Sequence, residues 1–74
     1  MKRGDLVKIT DDGDGMFTVG NMNMNAAGFA IPAGSIALVL EISDHLNLQH
    51  VHILVDGKLG WIYPEDGEVI DEAR

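Results

Sequence analysis

The 74 residues contain no cysteine, two prolines, one tryptophan and one tyrosine. Without thiols, neither a disulfide nor a Cys-based zinc centre can brace the fold, so stability must come from a packed core or from self-association. The same absence fits a reducing compartment. Basic residues are also scarce: five Lys and Arg stand against twelve Asp and Glu, a formal net charge of −7. A surface of that sign repels phosphate backbones at long range, which argues against nucleic acid as a partner even though Lys2, Arg3 and Lys8 form a local basic group. No apolar run approaches the ~20 residues that span a bilayer. Met1-Lys2-Arg3-Gly4-Asp5 leads into a strand pattern rather than the apolar region of a signal peptide. The expectation is a soluble cytoplasmic protein.

What the chain does have is alternation and punctuation. Val51, Ile53 and Val55 alternate with His50, His52 and Leu54, a period of two that sets three β-branched side chains on one face of a strand. Asp56-Gly57 follows, a pair that tolerates the positive φ angles of a primed hairpin turn. The return strand is predicted over Lys58 to Tyr63, with Leu59, Trp61 and Tyr63 on one face and Gly60 and Ile62 on the other. Pro64 ends it, since proline cannot donate to a ladder. Pro64 to Gly67 then reads as a turn or a single 3₁₀ turn, and Glu68 to Ile70 as a brief closing strand. Asp71 to Arg74 reads as a charged tail that frays.

Upstream, Leu6 to Thr10 is a first strand with Val7 and Ile9 on one face. Asp11, Asp12, Gly13, Asp14 and Gly15 make a strong turn signal, and Met16 to Val19 a short second strand. From Gly20 to Gly34 no period is evident, so the stretch is predicted as a long loop over the core, with Met22, Met24, Phe29 and Ile31 as apolar contacts. Ile36 to Ile42 carries the strongest strand pattern. Its all-apolar set, Ile36, Leu38, Leu40 and Ile42, contrasts with the mixed set Ala37, Val39 and Glu41. Ser43 to Gln49 reads as a polar connection. Helix is almost absent by pattern. About five short antiparallel strands in one domain, residues 1–74, bury an apolar face best by curling into a small barrel.

The order of these elements resembles an SH3-like barrel. GDLVKI at Gly4 to Ile9 is similar to the family's first strand, Gly20 to Gly34 takes the place of its long first loop, and Gly60 to Ile70 is similar to its strand, 3₁₀ turn and last strand. The resemblance implies a small all-β barrel; its roles are many, so it implies no single function. The first segment lacks the aromatics of peptide-binding members, and His50-Val51-His52 stands where they carry tryptophan, which argues against proline-rich ligands. GDLVKI, PAGSIALVLEI and VHILVDGKLGWIYPEDGEVI together also resemble small proteins of tailed bacteriophages of marine hosts, cyanophage type, which implies a host-cytoplasmic or virion setting. Arg3-Gly4-Asp5-Leu6-Val7-Lys8-Ile9 further resembles the opening of the small SH3-like subunit of photosystem I, a minor alternative.

Three sets of residues could carry chemistry or contacts. His50 and His52, two apart on one strand face, could share a metal ion with His45 or Asp44. Asp11, Asp12 and Asp14 invite a calcium reading, but a loop counted from Asp12 meets Met16 where an oxygen ligand belongs and Asn23 where an acidic residue belongs. Trp61 and Tyr63 are either core or contact surface, and Ile62 decides between them: if Ile62 points inward, the two aromatics point out. No nucleophile elbow surrounds Ser35 or Ser43, and no phosphate-binding glycine loop occurs. The expectation is a non-enzymatic module without a cofactor. It would bind a protein partner, or further copies of itself as a homo-oligomer, through Trp61, Tyr63, Met22, Met24 and Phe29. A nucleic-acid-associated barrel and a regulator binding metal through His45, His50 and His52 are the alternatives.

Overall fold

A computed structural model describes residues 1–10, 16–22 and 28–72, with only the backbone of Met16, Phe17 and His45. Among the described residues seven strands, rather than about five, make one antiparallel sheet: β1 (Leu6–Ile9), β2 (Met16–Asn21), β3 (Phe29–Pro32), β4 (Ile36–His45), β5 (Leu48–Val55), β6 (Lys58–Ile62) and β7 (Gly67–Asp71). Their order across the sheet is β3-β2-β6-β5-β4-β1-β7, and the sheet curls into a half-barrel. A 3₁₀ turn, Pro64–Asp66, joins β6 to β7, as the proline predicts. No helix among the described residues is long and apolar enough to cross a membrane.

The concave side holds one core of Val7, Ile9, Val19, Ile31, Ala37, Val39, Val51, Ile53, Val55 and Ile62, with Phe29, Ile42 and Val69 packed against it. β-branched residues dominate it, which suits a pleated surface where χ1 is already restricted. Val51, Ile53 and Val55 all face inward, and the following turn has Asp56 at φ 52° and Gly57 at φ 74°, the primed hairpin expected from that pair.

Three expectations are corrected. The predicted loop from Gly20 to Gly34 is partly strand, because β3 pairs with β2 from Met16↔Pro32 to Val19↔Phe29. The predicted polar connection from Ser43 to Gln49 continues the β4–β5 ladder to His45↔Leu48 and closes through Leu46 and Asn47, both at positive φ (52° and 65°). The charged tail begins later than predicted, since Asp71 belongs to β7 and pairs with Leu6.

The faces of β4 are also reversed. Ala37 and Val39 are buried, whereas Ile36 is exposed and Leu38 half-exposed. The set is split by a bulge at Leu40: Val39 pairs with Ile53 and Glu41 with His52, so Leu40 has no opposite residue. One extra residue shifts the phase by one, which returns Ile42 to the core side.

Candidate functional site

Ile62 is buried in the core, so its neighbours Trp61 and Tyr63 lie on the convex face of β6, both half-buried. Register sets His52 directly across from Trp61, and His50 lies two residues before it on the same face of β5. The rings of His50 and Trp61 meet edge to face at 4.4 Å between centroids, Trp61 and Tyr63 likewise at 5.1 Å, and His50 and Tyr63 lie 5.5 Å apart. Edge-to-face contacts at such separations are favourable beyond area burial alone. His50 is therefore buried on the convex side while Val51 is buried on the concave side, so consecutive residues of one strand are both covered.

Trp61 reaches across to β2, where Gly20 is its register partner. A Cβ at Gly20 would overlap the indole at Cε2 and Nε1, so the missing side chain is what admits the ring. Just beyond, Met22 brings its Sδ to 3.2 Å from Nδ1 of His52, and Ser43 of β4 brings its Oγ to 2.6 Å from Nε2 of the same ring. His52 is thus held at both nitrogens, by Ser43 of β4 and by Met22 just past the end of β2.

A hydrogen-bonded Ser–His pair meets one requirement of nucleophilic catalysis. Its other requirement fails, since the second imidazole nitrogen faces a thioether rather than the carboxylate that stabilises an imidazolium in a hydrolase triad. Ser35 is engaged elsewhere, donating from its Oγ to the Pro32 carbonyl at 2.5 Å. A surface groove of about 370 Å³ is lined by Lys8, Ile9, Thr10, Ala33, Gly34 and Glu68, and there the Thr10 hydroxyl donates to the Asp66 carbonyl at 3.1 Å.

Of the residues expected to form contacts, Trp61, Tyr63 and Met22 come together around the two histidines. Phe29 does not join them. It packs against the core near Gly60, where a Cβ would lie 3.0 Å from its Cζ, and the Lys58 ammonium sits 5.4 Å from its ring centroid. His50 and His52 share a face as expected, but one packs against aromatic rings and the other against Ser43 and Met22. Among the described residues no three His, Cys, Asp or Glu side chains converge as metal ligands. Met24 and the acidic run Asp11, Asp12 and Asp14 lie outside the described residues, as does the side chain of His45.

Alternation missed a second feature of the convex face. Register aligns Leu6 with Leu38, Leu38 with Leu54, and Leu54 with Leu59, an outward leucine row across β1, β4, β5 and β6. Leu54 is 37% and Leu59 53% exposed. Leu59 and Trp61 share the outer face of β6, so the row runs into the aromatic cluster. No family model, curated protein or solved structure matches the chain.

Proposed function

We propose that this chain is a non-enzymatic SH3-like module that binds another protein through its convex face. One observation carries the reading: the row Leu6, Leu38, Leu54 and Leu59, continued by Trp61 and Tyr63, lays apolar and aromatic groups side by side on the outside of the sheet. Contiguous apolar surface of this kind typifies interaction sites, and aromatics held in place by neighbours lose little entropy on binding.

The barrel family is supported by connectivity. The first strand pairs with the last, β4, β5 and β6 form a meander, a hairpin fills the place of the long first loop, and a 3₁₀ turn precedes the final strand. The net charge of −7 favours a basic partner and speeds encounter at low salt. The resemblance to tailed-phage proteins points to a host factor or a sister virion subunit as that partner.

Affinity capture from host lysate tests the reading, comparing the wild type with Leu59→Glu. Leu59 is half-exposed and outside the core, so the variant keeps the fold. A partner retained undiminished by Leu59→Glu counts against the convex face.

A further inference from the structure

We infer that the outer edge of β7 is a docking strand that takes an extended protein segment with alternating basic side chains as one more strand of the sheet. The inference stands apart from the convex-face reading, because it uses backbone groups at the rim of the sheet and not the side chains of the leucine row.

The first argument is the direction of the backbone groups. β7 ends the sheet order and, among the described residues, pairs with β1 alone. Residues of an antiparallel strand point their N–H and C=O alternately to one neighbour and the other. Ile9 uses both groups on the β4 side, donating to the Ser35 carbonyl and accepting from the Gly34 N–H, each at 2.9 Å. Thr10 instead donates to the Asp66 carbonyl, on the β7 side, at 3.0 Å. By that alternation Lys8 and its register partner Glu68 bond each other, while Gly67 and Val69 point their groups away from β1. The Gly67 N–H turns back to the Pro64 carbonyl. The Gly67 carbonyl and both groups of Val69 then face the open side, the template an added strand needs.

The second argument is the side-chain pattern along that edge. Val69 lies opposite Val7 and Asp71 opposite Leu6, so Ile70 has no opposite residue and forms a bulge. The extra residue sets Glu68 and Asp71, three apart in sequence, on one outer face with Lys8 and Leu6. Val69 packs against the core on the inner face. An antiparallel strand laid beside β7 with a period of two puts a basic side chain opposite Glu68 and an apolar one opposite Val69. The residue opposite Val69 is the one whose own N–H and C=O turn toward β7.

The choice of occupant follows from charge. Glu65, Glu68, Asp71 and Glu72 are all exposed, and no basic residue occurs between Pro64 and Glu72. Lys8 is the cation that faces them in register. Charge on an edge strand discourages pairing between like edges. A second copy offers either the same acidic β7 or β3, Phe29–Pro32, which is four residues long, uncharged and ends in a proline that cannot donate. An extended segment with lysine or arginine at every second position meets opposite charge instead, and cross-strand pairs of opposite sign are favourable.

The test titrates the ¹⁵N-labelled whole chain with a capped six-residue peptide of alternating lysine and valine at low salt. Expected are the largest amide shifts within Gly67 to Ile70 and slowed hydrogen exchange at the Val69 amide, with Leu54 and Leu59 unmoved. The same peptide N-methylated at its valines keeps its charge but loses the donors that face β7, and is expected to bind at least ~10-fold more weakly. Glu68→Gln combined with Asp71→Asn changes two exposed side chains without altering their size, so it keeps the fold and is expected to weaken binding at least ~3-fold. The inference is overturned if the β7 amides stay unmoved at about 1 mM peptide, if the largest shifts fall on the leucine row, or if the N-methylated peptide or the double variant binds as tightly as the original pair. Protection of the Val69 amide that grows with protein concentration in the absence of peptide would equally overturn it, since the edge would then belong to a second copy.

Discussion

The indole of Trp61 lies so close to the backbone of Gly20 that a single methyl group at that glycine would overlap the ring. This contact spans β6 and β2 and ties the β2–β3 hairpin to the central strands. It also leads the chain to Met22, so one glycine serves both packing and the placement of a site residue.

Gly20→Ala is accordingly expected to destabilise by about 1–3 kcal/mol, the range for overpacking. Urea unfolding followed by Trp61 fluorescence would show a lower midpoint together with an altered native spectrum, because the ring must move. Gly57→Ala offers the contrast. A Cβ there meets nothing within 4 Å, so its cost comes only from φ +74° and leaves the Trp61 spectrum unchanged.

The β4–β5 hairpin turns through Leu46 and Asn47, both left-handed, and Leu46 is 82% exposed. A leucine in that conformation costs roughly 1–2 kcal/mol without gaining burial. Replacing the pair by Leu46→Asn with Asn47→Gly should raise stability by about 1 kcal/mol, since that dipeptide suits a primed turn. Thermal unfolding checks the sign. An unchanged or lower midpoint would show that Leu46 contributes a contact not evident in this fold.

Asp5 is a buried carboxylate at the start of β1. It accepts from the Lys2 backbone N–H at 2.8 Å and pairs with the Lys2 ammonium at 3.3 Å, while the Lys2 side chain is 55% exposed. The two halves of this pair should respond unequally. Lys2→Ala removes a solvent-screened charge and costs below about 1 kcal/mol, whereas Asp5→Ala takes the acceptor from the Lys2 backbone N–H at a buried position and costs about 1–3 kcal/mol. Chemical denaturation of both variants measures the asymmetry; equal losses would mean the ammonium, not the backbone hydrogen bond, holds this corner.

Much of the fold could be read from local chemistry. Asp56-Gly57 announced the β5–β6 hairpin, Pro64 announced the 3₁₀ turn, and the β-branched alternation of Val51, Ile53 and Val55 marked the core face. What stayed hidden depends on events with no local signature. Leu40 looks like one more apolar residue of a strand, and only its bulge, a product of pairing with β5, puts Ile42 on the core side while Ile36 and Leu38 face out. Leu46-Asn47 lacks glycine, so its turn is invisible to a search for turn residues. Small residues and Pro32 masked β3, which exists by pairing with β2 rather than by propensity.

The candidate site divides the same way. The sequence leaves Trp61 and Tyr63 as core or contact surface according to where Ile62 points, and the burial of Ile62 decides for the outer face. Met22 was singled out as apolar, but its approach to His52 requires β2 to lie beside β6 and β6 beside β5, a topological fact no spacing contains. The leucine row was equally out of reach, since four strands must be in register before its members are neighbours.

Binding of a protein by the convex face is tested by chemical-shift mapping. The ¹⁵N-labelled chain is titrated with the basic protein captured from lysate, at low and at high salt. The largest shifts are expected at Leu38, Leu54, Leu59, Trp61 and Tyr63, with binding weaker at high salt. Shifts confined to the groove of Lys8, Thr10 and Glu68, or capture of nothing but further copies of the same chain, would contradict it.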